Sequence, residues 1–529
     1  MKKKKLKLKE FLIHPIVSFI LMTLLVIVFS RILSLLQIQV SYNKINPITL
    51  DVESEILTVK NLLSYDGLKY IISHAVKNFV GFAPLGNLLV ALIGISVVYA
   101  TGFVDTFTKR VISKISSAKL TFIILFIATI SSIINDIGYV LLIPLCAAIY
   151  LSNKKNPLLG IVTAFCGVAF GYGATIFVGS AEINLISDTT LAAKLIDPNF
   201  HVSLTSNLII MIAVTFILSI IGTLIIEKII APKFFPKKFD NDTTTKEIDI
   251  ESIIKESEQN KLEVETNEKK GLKKSIIVGI IFLLCFAYML IPNLPFSGLL
   301  LDMNEKTYLK QVFGDNSYFQ EGFTFMVSLM FVIIGIVYGV TAKTIKNSKE
   351  LINKCMTYLN SVISVVILLF FAAMFISVFK ESNIGPVIVG LFSKLIKGAS
   401  FSGIPLIILV MISIAICGLF VTTPAAKWTI LAPIVVPLMM QSNISPQFSQ
   451  FILRASDSMT KGITPLLAYF AIYIGYLNIY NNEKKVITVK KAISYLIPYC
   501  LIICISWILI IIGWYILGAP IGIGVNSTL

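Results

Sequence analysis

Eight uninterrupted apolar runs dominate the chain, near residues 11–37, 84–104, 120–151, 203–231, 275–292, 321–341, 357–379 and 492–518. Each is long enough to cross roughly 30 Å of hydrocarbon. Lipid offers the backbone no hydrogen-bond partners, so runs of this kind restrict the fold to helices. Further apolar stretches at 157–190 and 383–480 are interrupted by Gly, Pro, Ser and Thr. Charged residues make up 14% of the chain, against about 25% in a soluble domain. The sequence therefore predicts an all-α polytopic membrane protein whose first partner is the lipid bilayer.

Charge placement predicts orientation. Of 45 basic residues, six lie in Lys2–Lys9, four in 109–119, ten in 233–274, four in 343–354 and four in 484–491. The positive-inside rule puts these zones in the cytoplasm, and with them the amino terminus. Segments 38–82 and 293–320 then lie outside, as does the carboxyl terminus. The net charge of +16 follows from topology and attraction to anionic lipid. No nucleic-acid face is implied, because the charge is scattered between spans. The first run lacks a small-residue cleavage site and reads as a retained span.

Two aspartates stand in apolar surroundings, and each is followed eight residues later by Pro-Leu: Asp136 by Pro144-Leu145 and Asp457 by Pro465-Leu466. Ionised side chains in membrane-length segments are costly and mark transport pathways. One in each half suggests an inverted-repeat secondary transporter with a midplane site. The expected organisation is a basic amino terminus (1–10), a first repeat (11–232), a charged cytoplasmic linker (233–274), a second repeat (275–520) and a tail (521–529). Residues 240–269 are apolar-poor and mixed in charge, as a mobile linker would be.

The interrupted stretches predict two re-entrant hairpins. The first, near 157–190, carries Gly160, Gly167, Gly171, Gly173 and Gly179; the second, near 402–440, stops at Thr422-Thr423-Pro424. Unwound backbone there would present carbonyls, amides and hydroxyls to a ligand. Close helix packing through small residues is the alternative reading of the glycines. On a helix over 451–470, Arg454, Asp457 and Lys461 share one face and can satisfy one another. The seven cysteines lack metal-ligand spacing and read as packing residues. No Walker A motif, zinc motif or Ser-His-Asp arrangement is present, so neither an enzyme nor a primary pump is expected. No resident metal or cofactor is expected either.

The phrases VKNFVGFAPLG (76–86), INDIGYVLLIPL (134–145), NPLLGIVTAFCGV (156–168), AAKWTILAPIVVPLMM (425–440) and RASDSMTKGITPLLAYF (454–470) resemble the p-aminobenzoyl-glutamate transporter (AbgT-type) family, in order and over nearly the whole chain. The resemblance implies a homodimeric carrier in a bacterial cytoplasmic membrane, with about nine spans and two re-entrant hairpins. Such carriers import p-aminobenzoyl-glutamate or export sulfonamide-like antimetabolites. The family's pathway residues carry over to Asp136, Trp428, Pro446, Arg454 and Asp457. Trp428 would stack on an arylamide and Arg454 would take a carboxylate. Asp136 and Asp457 would hold the coupling ion, H⁺ or Na⁺.

Departures from the family pattern fall on the ion site. Where members place asparagine, this chain has Gly418, Thr175 and Lys461; where they place serine, it has Gly173 and Ala425. Lys461 is expected to pair with Asp457 in the place of a sodium ion, which would leave a proton-coupled or uncoupled carrier. Snorkelling of Lys461 to the interface is the alternative. A carrier for another anionic metabolite or envelope precursor, or a membrane scaffold without transport, are the other functions considered.

Overall fold

The computed structural model describes residues 14–134, 136–235, 261–314, 316–483 and 485–529. The basic amino terminus expected over 1–10 and most of the linker lie outside the described residues. Among the described residues, eight helical stretches are long and apolar enough to span a membrane, and four shorter apolar helices accompany them.

The chain opens with α1 (Pro15–Leu35) and an antiparallel ribbon of β1 (Gln39–Ile45) and β2 (Val52–Thr58). It continues with α2 (Tyr65–Val80), α3 (Ala83–Ala100) and α4 (Phe103–Arg110). The all-helical expectation missed this ribbon. Glu53 and Glu55 are set against Lys44 on it, while Val40 and Ile45 are buried.

Two units follow the same plan. In the first, α5 (Ser117–Ile130) and α6 (Ile137–Ser152) are arms joined by a tip at 131–136, with α7 (Pro157–Phe170) packed against both. An unwound stretch, 171–179, then leads to α8 (Ser180–Lys194). Helix α9 (Leu208–Ile225) runs on through a π-turn, and α10 (Lys261–Tyr288), α11 (Tyr308–Phe313), α12 (Tyr318–Thr341), α13 (Ser348–Glu381) and α14 (Ile384–Lys397) come next. In the second unit the arms are α15 (Gly403–Gly418) and α16 (Pro424–Gln441), straddling α17 (Pro446–Thr460). A 3₁₀ turn and an unwound stretch over 461–469 lead to α18 (Phe470–Ile479). The long α19 (Val489–Leu517) and a small ribbon of β3 (Pro520–Gly522) and β4 (Val525–Asn526) close the chain. The units interlock: α8 packs on α16 of the second, and α18 packs on α6 of the first.

Local sequence explains the parallel. Helices α7 and α17 each begin with a capping side chain followed by proline at the first helical position. Asn156 accepts from Leu158 N at 3.0 Å, and Ser445 accepts from Phe448 N at 3.3 Å.

Four expectations are corrected. The run 120–151 is not one span, because it breaks at the 131–136 tip. The first hairpin is 117–152 and not 157–190, because α7 packs along α5 and α6 but not along α8. Gly160 and Gly167 serve that packing: a Cβ would lie 2.6 Å from Cys146 O on α6 in the first case and 2.5 Å from Ala128 Cβ on α5 in the second. The two Asp-x7-Pro motifs are not equivalent either. Asp136 lies in a tip with Pro144 inside α6, whereas Asp457 lies inside α17 with Pro465 in the unwound stretch. Finally, the boundary expected at 274 falls within the continuous helix α10.

Candidate functional site

Both tips and both unwound stretches converge on one cavity of about 210 Å³. Hydroxyls tie each tip to the unwound stretch of its own unit. Ser132 donates to Ala174 O at 3.3 Å in the first, and Thr464 donates to Leu419 O at 2.7 Å in the second. A cross-link joins the units, with Gly173 N donating to Ser458 Oγ at 2.6 Å. Gly173 has no room for a side chain, since a Cβ would sit 2.8 Å from Trp507 and 3.0 Å from Ser458 Oγ.

Three ion pairs surround this point, and they differ in burial. Arg454 pairs with Glu182, both buried, and Arg454 Nη2 also donates to Tyr172 O at 2.6 Å. Its Nη1 lies 2.8 Å from Met211 Sδ. Lys427 pairs with Asp457, and both side chains are fully enclosed. The third pair is looser: Lys461 Nζ stands 3.6 Å from Asp136 Oδ1, and the Asp136 side chain is 39% exposed. Tyr172 separates the first pair from the third, its ring centroid 5.2 Å from the Arg454 guanidinium and 4.6 Å from the Lys461 ammonium.

The charges predicted to satisfy one another along α17 therefore do not do so. The helix ends at Thr460, and the following 3₁₀ turn carries Lys461 away from Asp457 and toward the first tip. Lys427, from the start of α16, takes the place beside Asp457 that was expected for Lys461. Gly418 sits against this pair; a Cβ there would be 3.3 Å from Asp457 Oδ1 and 3.5 Å from Lys427 Nζ.

The other candidates divide. Asp136, Thr422, Thr423, Ala425 and Lys461 line the cavity. Thr175 is buried in the first unwound stretch. Trp428 is also fully buried and stands off the cavity wall. Its indole Nε1 donates to Thr189 Oγ1 at 2.8 Å, and Thr189 in turn donates to Gln450 Oε1 at 2.7 Å. Pro446 is the buried first residue of α17, where its ring suits a helix start. Sequence reasoning missed Glu182, Lys427 and Lys380, the last of which also lines the cavity. The rule that selected Asp136 and Asp457, an ionisable group in apolar surroundings, applies equally to Glu182 and Lys427.

A helical multi-pass chain whose two repeated units close their tips around a charged cavity is, in class, a membrane transporter. The chain belongs to the AbgT family: the model described as "AbgT putative transporter family" matches residues 7–529. It is 29% identical over 518 residues to the p-aminobenzoyl-glutamate transport protein of Escherichia coli (strain K12), covering 98% of this chain and 94% of that one. Among solved structures it is similar to the Alcanivorax borkumensis YdaH transporter, at 29% identity and a TM-score of 0.47, covering 96% of this chain and 100% of that one. It is also similar to Neisseria gonorrhoeae MtrF, described as illuminating a class of antimetabolite efflux pumps, at 29% identity and a TM-score of 0.46 over 97% of each chain.

Proposed function

We propose that this transporter is a secondary carrier of a carboxylate-bearing organic solute, with p-aminobenzoyl-glutamate as the first candidate, and that its flux is coupled to protons and not to sodium. The observation that carries the reading is the cavity between the tips, whose charged wall residues are Asp136, Lys380 and Lys461. Two ammonium groups against one carboxylate favour an anion.

The coupling follows from Asp457 and its neighbours. A sodium ion seeks several hard oxygens, whereas here the carboxylate is already met by Lys427 and Gly418 brings no side-chain ligand. Asp136, half-exposed on the wall and only loosely paired, is the carboxylate in reach of the cavity, and the proton-coupling role is assigned to it.

A second reading has its own support. The cavity is smaller than the roughly 300–1,000 Å³ of drug-sized sites, and the buried Trp428 offers it no stacking face. A smaller anionic metabolite fits this wall as well. We place the carrier in a bacterial cytoplasmic membrane as a homodimer, with its amino terminus inside, on the strength of the basic zones and the family.

The test is uptake of labelled p-aminobenzoyl-glutamate into proteoliposomes under a proton gradient alone and a sodium gradient alone. Proton-driven uptake supports the reading. Uptake requiring sodium would refute the coupling, and no uptake beside flux of a small monocarboxylate would favour the second solute class.

A further inference from the structure

The arginine that family resemblance offers to the substrate is not on the cavity wall. Arg454 is held by Glu182 and the Tyr172 carbonyl and stands behind the Tyr172 ring. Its charge is already matched where it lies. The cations that do face the cavity are Lys461 and Lys380.

Lys380 sits in the last turn of α13, one turn after Ile376, so both residues turn the same helix face toward the cavity. It is exposed, and among the described residues no carboxylate pairs with it. Its chain neighbour Glu381 is engaged elsewhere, 2.8 Å from Lys60 Nζ. Lys461 shares its charge with Asp136 across 3.6 Å. Thr422 and Thr423 at the second tip and Asn184 on α8 add neutral polar groups to the same wall.

We propose that Lys380, assisted by Lys461, is the anion-recognition subsite of this carrier, and that Arg454 is a structural lock and not a substrate ligand. The inference rests on the carrier reading above and names the residues that select its solute. The wall carries one positive charge in excess, so a monocarboxylate neutralises it. A dicarboxylate overfills it by one negative charge unless Asp136 takes up a proton, which ties proton uptake to dianion binding.

The experiment is equilibrium binding of labelled p-aminobenzoyl-glutamate and p-aminobenzoate to the purified full-length protein, with 4-aminobenzamide as the uncharged competitor. Lys380→Gln should weaken binding of both anions by roughly tenfold or more, as expected for loss of a charge-assisted contact, and Lys380→Arg should largely restore it. Competition by 4-aminobenzamide should be unchanged. Thermal stability of each variant, measured alongside, separates lost binding from lost folding. Wild-type binding that Lys380→Gln leaves within twofold would overturn this inference while leaving the carrier reading intact. No binding of either anion to the folded wild type would overturn both.

Discussion

The two buried ion pairs and the cavity-wall pair lie within one constellation, yet they face opposite electrostatic problems. Lys427–Asp457 and Arg454–Glu182 are cut off from solvent, so each charge depends on its partner to offset the loss of hydration. Asp136 and Lys461 border the cavity, where a solute, a proton or water can replace either partner. Charge in this site thus has two uses: the enclosed pairs hold the fold, Arg454–Glu182 across the units and Lys427–Asp457 within the second, and the half-open pair meets the solute. A carboxylate and a cation in apolar sequence look alike in both cases, and the exposure of the carboxylate tells them apart.

The sharpest way to break this contrast is to remove one member of an enclosed pair. Lys427→Gln should destabilise the protein by about 3–5 kcal/mol, because Asp457 is left buried without its counter-charge. Loss of monodisperse protein on size-exclusion chromatography would register it, and adding Asp457→Asn should recover part of the loss. A smaller effect is expected where packing alone is disturbed. Gly167→Ala puts a methyl against Ala128 and should cost about 1–3 kcal/mol, seen as a lowered melting temperature. Thr189→Val leaves the Trp428 N–H buried without its acceptor and should cost about 1–3 kcal/mol. If Trp428 instead contacts solute directly, that variant would change affinity more than stability. The smallest stability changes belong to the wall. Lys461→Gln leaves only the half-exposed Asp136 unpaired and should leave the melting temperature nearly unchanged while altering flux. Asp136→Asn leaves the buried Lys461 over the Tyr172 ring without its carboxylate and should cost less than Lys427→Gln. A large loss of fold in either would erase the distinction.

The sequence made the membrane class, the helical fold and the presence of a repeat legible, because hydrocarbon leaves helices as the economical solution and writes them as long apolar runs. It misplaced the first hairpin, however. Gly160 and Gly167 mark close packing of α7 on its neighbours, and the same residues in sequence read as a helix break. The true first tip, which carries Ser131, Ser132 and Asp136, is too short between its apolar flanks to interrupt a hydropathy pattern. Asp136, Lys461 and the Thr422-Thr423 tip could be nominated from residue type and context. Their partners could not, because the Lys427–Asp457 and Lys461–Asp136 pairs join residues 30 and 325 positions apart. Helical periodicity misassigned Lys461 for a local reason: it assumes that α17 continues, and the helix stops one residue earlier, at Thr460.

The most direct test of the central claim compares wild type and Asp136→Asn in proteoliposomes, measuring p-aminobenzoyl-glutamate uptake under a proton gradient alone, a sodium gradient alone and neither. Wild-type uptake should rise with the proton gradient and ignore sodium. The variant, shown to be folded, should lose that response and retain at most downhill flux. A variant that still accumulates the solute on a proton gradient, or a wild type driven only by sodium, would contradict the assignment of transport to the cavity-wall pair.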